Sequence, residues 1–298
     1  MYRVYQIFMV TGNNFRRWHK NPRIFITFAF AFILCFLLSD KAMQFAQENG
    51  TTLQFMEAFI WTFGDSNSIL LSSLLLLLLF ADMPFITTAT TFLLVRINRR
   101  TFILGQGLYI FLSTCVYMTF MFLATTIVCM QNSFLGNKWS ETAALLGYSG
   151  AGEKIAIPSF VKVMQLSRPY QCMTNIFLLM LLYALVLAFI MLLGNLKKGP
   201  GAGVASVLVF SLFGFMLNPE LIQKIFHLSE ALKYKANVAV GWISPLNQAT
   251  YYMHNFGFDL LPRLWQSYLI FTVLIILLFM FSLREMKKFS FSFTGTEG

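Results

Sequence analysis

The sequence predicts an all-α polytopic membrane protein, on three observations. Of its 298 residues, 57% are hydrophobic and only 11% are charged, where a soluble domain carries about 25% charged residues. Uncharged runs recur at Ile24–Ser39, Ser66–Ala81, Thr101–Asn137, Pro169–Leu196, Gly199–Pro219 and Leu264–Leu283. Crossing the hydrocarbon takes about 17–25 helical residues, so the shorter runs borrow flanking residues, and six spans are expected. Finally, the basic residues fall on one side of those spans. Arg3, Arg16, Arg17, Lys20, Arg23, Arg96, Arg99, Arg100, Lys197, Lys198, Arg284, Lys287 and Lys288 share that side with only Asp82, Glu285 and Glu297, so the whole net charge of +10 lies there. By the positive-inside rule both termini are cytoplasmic. The charge is spread along span ends with no aromatic-basic reader pattern, which points to anionic lipid headgroups and a cytoplasmic protein partner and away from nucleic acid.

The elements follow in chain order. Met1–Pro22 reads as an amphipathic interfacial helix with Val4, Ile7, Phe8 and Phe15 on its apolar side, interrupted at Gly12-Asn13-Asn14. Pro22 opens the first span, residues 23–40, which Ser39-Asp40 closes. In the outer loop that follows, Leu53–Trp61 is apolar enough to extend the second span, 61–82, upward as a helix. Met83–Val95 is uncharged but short and begins at a proline, so residues 84–100 read as a segment lying along the inner face. Span three covers 101–130. The long outer loop Gln131–Arg168 contains GYSGAGEK, which lacks the Gly-Lys-Ser/Thr end and the preceding strand of a phosphate loop and reads as a flexible turn. Span four covers 171–195. Gly199, Pro200, Gly201 and Gly203 then serve either a hinge or close helix packing, the second being commoner in membranes. Span five covers 200–218. Pro219–Tyr234, with Leu221, Ile222, Ile225, Leu228 and Leu232 at helical spacing, and a second segment opened by Ser244-Pro245, predict two short helices dipping into or lying on the outer face. Span six covers 264–283. No repeat is evident, and residues 1–298 form one membrane domain.

No catalytic constellation is present: there is no HExxH, no GxSxG and no metal-ligand spacing, and His19, His227 and His254 read as interface or surface residues. Cys35, Cys115, Cys129 and Cys172 read as small core hydrophobes, with no disulfide expected between Cys129 and Cys172. Charges within spans mark ion and proton pathways; here the spans carry only Asp82, at a cytoplasmic end. That inventory disfavours a secondary transporter, and the absence of converging polar groups disfavours an intramembrane enzyme. Asp82 either ends the second span at the headgroups or pairs with an arginine of the inner segment or the N-terminal helix and anchors the segment after it. Arg96, Arg99 and Arg100 read equally as snorkelling anchors or as the flank of a docking surface.

LLFADMPFITTATTFLLVRINRRTFILGQ, residues 78–106, resembles the stretch of type 2 ABC exporter permeases (the type V exporter fold) where a span ends, a coupling helix runs, and an Arg-rich turn opens span three. The topology is similar too: an interfacial helix, six spans, and short re-entrant helices before the last span. The long 131–168 loop departs from that pattern. The resemblance implies a permease subunit that moves an amphipathic or apolar substrate (peptide, lipid or drug) outward across a plasma membrane of bacterial type. It implies ABC ATPase subunits and a second permease chain as partners. The chain has no Walker A lysine motif and no LSGGQ, so no cofactor is expected in it, and ATP and Mg belong to the partner. The resemblance assigns ATPase coupling to Thr91, Phe92, Arg96, Asn98, Arg99 and Arg100, and makes Asp82 the anchor of the coupling segment. It places Ser72, Ser73, Ser206, Phe210 and Phe213 along a substrate path at the dimer axis between two permease subunits, lined by spans two and five, although each also reads as a packing residue. A non-transporting sensor or scaffold of the same fold is the alternative.

Overall fold

In a computed structural model the described residues are 2–85, 96–155, 157, 161–227, 229, 232–257 and 259–289. Long apolar helices dominate. Pro22–Glu48 (α2), Arg99–Val128 (α6), Pro169–Lys198 (α10) and Leu264–Glu285 (α15) are each long and apolar enough to cross a membrane. Two bent pairs raise the number to six if each counts as one span. One joins Glu57–Phe63 (α3) to Ser66–Leu75 (α4) and Leu77–Phe80 (α5). The other joins Pro200–Met216 (α11) to Pro219–Phe226 (α12).

The central helix is α10. Leu179, Met180, Tyr183, Ala184, Val186, Leu187, Met191 and Leu192 are all buried, and α11, α15, α6, α3 and α4 pack around it. The peripheral helices turn large apolar side chains outward: Phe25, Phe32, Phe36 and Leu37 on α2, and Leu269, Val273, Ile276 and Met280 on α15 are all exposed. A soluble monomer does not carry apolar faces of this extent, so the chain is a multi-pass membrane protein.

At one end of the bundle, here the terminus end, lie the start of α1, the end of α15 and the α10–α11 turn. There Tyr2–Arg16 (α1) is continuous through Gly12-Asn13-Asn14, against expectation. Its Val10, Thr11 and Asn14 are buried against the start of α6, and that docking holds the helix together where propensity alone would break it. Ile7 and Phe15 turn inward, while Val4, Tyr5, Phe8 and Met9 are exposed.

The other end is a folded cap that departs furthest from the sequence-based reading. Helix α2 does not stop at Ser39-Asp40 but runs two further turns to Glu48. Leu53–Trp61 does not lengthen the second span. Leu53–Gln54 (β1) pairs in parallel with Ser133–Phe134 (β2), and α3 then lies across the bundle, bent 90° from α4 and α5. The bend has local causes. The Asp65 carboxylate accepts from the N–H groups of Asn67 and Ser68 at 3.1 and 3.3 Å, capping α4. Gly64 leaves room for the Tyr252 ring, which a Cβ there would meet at 2.2 Å.

Among the described residues the 131–168 stretch carries three α-helices, Glu141–Tyr148 (α7), Ala151–Lys154 (α8) and Val161–Leu166 (α9), so the expected flexible turn shrinks to Ser149-Gly150, with Gly150 at φ +68°. The Pro219–Tyr234 helix ends early. His227 takes the left-handed conformation at φ +47°, α12 stops at Phe226, and Lys233–Ile243 (α13) and Pro245–Ala249 (α14) follow. Among the described residues the 218–263 segment thus has three short α-helices where two were expected. All four cysteines are free.

Candidate functional site

At the terminus end, side chains from several helices converge on the residues that enter and leave the 84–100 segment. Thr91 and Phe92 lie outside the described residues. Asp82 pairs with Arg23, at the start of α2, and both side chains are half exposed. The partner is therefore one residue past the N-terminal segment and outside the inner segment, neither of the two places expected. Asn195, near the end of α10, donates from Nδ2 to the carbonyl oxygens of Ala81 at 3.0 Å and Met83 at 2.6 Å. It thus satisfies backbone acceptors that the end of α5 leaves without helical partners. Past the segment, Arg96 is exposed and its carbonyl accepts from Gln6 Nε2 at 3.5 Å. Asn98 is the backbone cap of α6, without a side-chain cap bond. Arg99 donates from Nη1 to the carbonyl oxygens of Lys287 at 2.9 Å and Phe289 at 3.0 Å, a cation at the carbonyl end of α15. Arg100 is exposed.

The start of α6 is itself fastened to α1. Thr11 Oγ1 donates to the Gly105 carbonyl at 3.0 Å, Asn14 Nδ2 to Gln106 Oε1 at 3.0 Å, and Trp18 Nε1 to Tyr109 Oη at 2.9 Å. Gly105 permits that approach, since a Cβ there would meet Val10 Cβ at 2.6 Å.

The four glycine-turn residues divide into distinct roles. Gly199, at φ +94°, makes the turn that ends α10, and Pro200 opens α11 at its first turn. Gly203 lies against α10, where a Cβ would stand 1.9 Å from Asn195 Oδ1 and 2.6 Å from the Met191 carbonyl. Gly201 faces open space. Close packing thus falls to Gly203 and to Gly194 opposite it, whose Cβ would meet Gly203 Cα at 2.7 Å.

The pathway residues do not share one surface of the single chain. Ser72 and Ser73 are fully buried, and Ser72 Oγ donates to Ile69 O at 2.9 Å while its carbonyl accepts from Tyr117 Oη at 2.8 Å. Ser206 and Phe213 are exposed on α11, and Phe210 is half-buried. At the cap end of those same two elements, a cavity of about 470 Å³ opens between Ser66 of α4, the last turn of α11 and the α12–α14 helices.

The cap also holds a group that sequence reasoning passed over. Glu57, at the start of α3, is fully buried. Its carboxylate accepts from Ser140 N at 2.8 Å, from Ser140 Oγ, and from Gln54 N at 3.2 Å. Burial pushes this carboxyl up to about 7, the hydrogen bonds from Ser140 and Gln54 opposing the rise. His254 is buried beside α15; its Nδ1 faces the carbonyls of Thr250 and Tyr251, so that nitrogen carries the proton, and Nε2 accepts from Ser267 Oγ at 2.9 Å. Burial holds this imidazole below its ordinary value. Among the described residues no group of three His, Cys, Asp or Glu is placed to hold a metal ion. Asn195 and Glu57 carried no signal in the sequence beyond a polar residue near the end of one apolar run and a single charge inside another. Comparison with protein-family models, with curated proteins and with solved structures finds no match to this chain.

Proposed function

We propose that this chain is the permease half of an ATP-driven exporter of the ABC type. It would pair with a second permease chain and draw energy from a separate ATPase subunit that binds ATP and Mg. The observation that carries the reading is the bracing of the 84–100 segment at both ends. Its entry is tied to α2 through Arg23–Asp82 and to α10 through Asn195, and its exit to α15 through Arg99. A segment anchored this way would turn a push from a soluble partner into a rigid-body shift of the spans, since packed helices move as units.

In this reading the surface from Thr91 to Arg100 docks into a groove of the ATPase. Arg99 serves as an internal tie, and exposed Arg100 and Arg96 meet the partner. An amphipathic or apolar substrate would pass along α4 and α11. The exposed apolar face of α11, with Val209, Leu212 and Phe213, would adjoin the second permease.

Purification of the tagged chain from its native membrane tests the proposal. A stoichiometric soluble subunit with ATPase activity is expected to accompany it. Recovery of the chain alone, or with membrane partners only, would leave it without an energy source and favour a sensor or scaffold.

A further inference from the structure

The cavity at the cap end has a chemistry of its own. Its volume of about 470 Å³ falls within the range of small-molecule sites. Phe215, Leu217, Val238, Leu246, Met253 and Leu261 give it apolar walls, and Asn218, Asn237, Asn247 and Asp259 add polar groups. Helix α13 contributes Tyr234, Asn237, Val238 and Gly241, which are spaced i, i+3, i+4, i+7 and so form one face. Lys233 and Lys235 flank Tyr234 in sequence and fall off that face. Among the described residues no Lys or Arg lines the cavity, and Asp259 is the only acid that does.

The strand of chain carrying Asp259 is held in place from α13. Tyr234 Oη accepts from Leu260 N at 3.3 Å and Trp242 Nε1 donates to Leu260 O at 3.0 Å. Among the described residues the one ion pair is Arg23–Asp82, at the other end of the molecule, so no described cation neutralises Asp259. A half-buried carboxylate on an apolar wall attracts a cation more strongly than it would in water and repels an anion. The rings of Tyr234 and Phe215 add a face that favours positive charge.

We infer that this cavity is a binding site for an amphipathic organic cation, its charged head at Asp259 and its hydrocarbon body against Phe215, Val238 and Leu261. The inference deepens the exporter reading by naming a substrate class. Transport of such a molecule rests on that reading; binding does not.

The test is equilibrium binding of radiolabelled tetraphenylphosphonium to the purified full chain in detergent, with tetraphenylborate, of the same shape and opposite charge, as competitor. Saturable one-site binding is expected. Asp259→Asn should weaken it by about tenfold, the size of one charge contact. Val238→Trp, which fills the cavity, should abolish it, and Lys235→Gln, off the lining face, should change it less than about twofold. Each variant is first checked for a monodisperse elution profile. Absence of saturable binding, equal affinity in Asp259→Asn or Val238→Trp, or equal competition by tetraphenylborate would overturn the site. Saturable binding to a chain that recruits no ATPase would keep the site and sink the exporter reading.

Discussion

Glu57 shows how much one side chain can carry that a sequence does not display. Its three hydrogen-bond donors come from two separate stretches, Gln54 beside it and Ser140 more than eighty residues on. No local pattern announces that meeting. The two N–H groups are fixed donors that favour the carboxylate, whereas the Ser140 hydroxyl can turn to accept when the acid is protonated. Burial and hydrogen bonds alone act on this carboxyl, with no cation among its causes to offset burial. With the carboxyl raised from 4.5 to about 7, the folded state holds a proton that the unfolded state releases. The associated stability is fully present below pH 4.5 and is lost as pH rises through 7, a change of about 3 kcal/mol. Glu57→Gln should therefore flatten the fall in thermal midpoint between pH 4.5 and 7.5 in detergent. It should also cost about 1–3 kcal/mol at pH 4.5, because the amide nitrogen standing in for Oε2 can donate to Ser140 Oγ but cannot accept from Gln54 N. His254, whose depressed value acts in the opposite sense, is common to both proteins and cancels in their difference. A wild-type midpoint that rises across this window relative to the variant would contradict the assignment.

At the scale of elements, the helices that cross the bundle were legible and the pieces that turn were not. Leu264–Glu285 and Arg99–Val128 lie close to the expected spans 264–283 and 101–130, because lipid solvation imposes length and composition along a whole span. Leu53–Trp61 does not continue the second span straight, because its apolar content suits a buried helix lying crosswise as well as one standing upright. Its direction is set by Asp65 and Gly64, two residues a composition argument does not weigh. The α10–α11 hairpin was read halfway: the glycines mark close packing, but which of them packs depends on Asn195.

That division predicts a pattern of stability. Gly203→Ala drives a methyl into Asn195 Oδ1 and should cost about 1–3 kcal/mol. Asn195→Ala frees the carbonyls of Ala81 and Met83 and should cost a similar amount. The double variant should lose less than the sum, since the second change removes part of the clash created by the first. Gly194→Ala meets Gly203 backbone and should gain no such relief, while Gly201→Ala, in open space, should be nearly silent. Thermal unfolding of the five variants in detergent measures this, and strict additivity between positions 195 and 203 would mean that Asn195 is not the strut described.

The whole molecule has two chemically distinct ends, and the exporter reading depends on which faces the cytoplasm. The terminus end gathers Arg23, Arg96, Arg99, Arg100, Lys197 and Lys198 around exposed span ends. The cap end buries the Glu57 carboxylate, carries helices α7–α9, and holds a cavity that no described cation lines. Translocation disfavours moving clustered Lys and Arg across the bilayer, so the exporter proposal puts the terminus end inside and the cap outside. With the four native cysteines replaced by alanine, a single cysteine at Leu135, which is 81% exposed on the cap, should react with a membrane-impermeant maleimide in intact cells. One at Asn98 should react only after the membrane is opened. The reverse pattern would place the braced 84–100 segment on the side that has no ATP. The Arg23–Asp82 and Asn195 ties would then remain as struts of a membrane scaffold, and the proposal that they transmit force from an ATPase would fall.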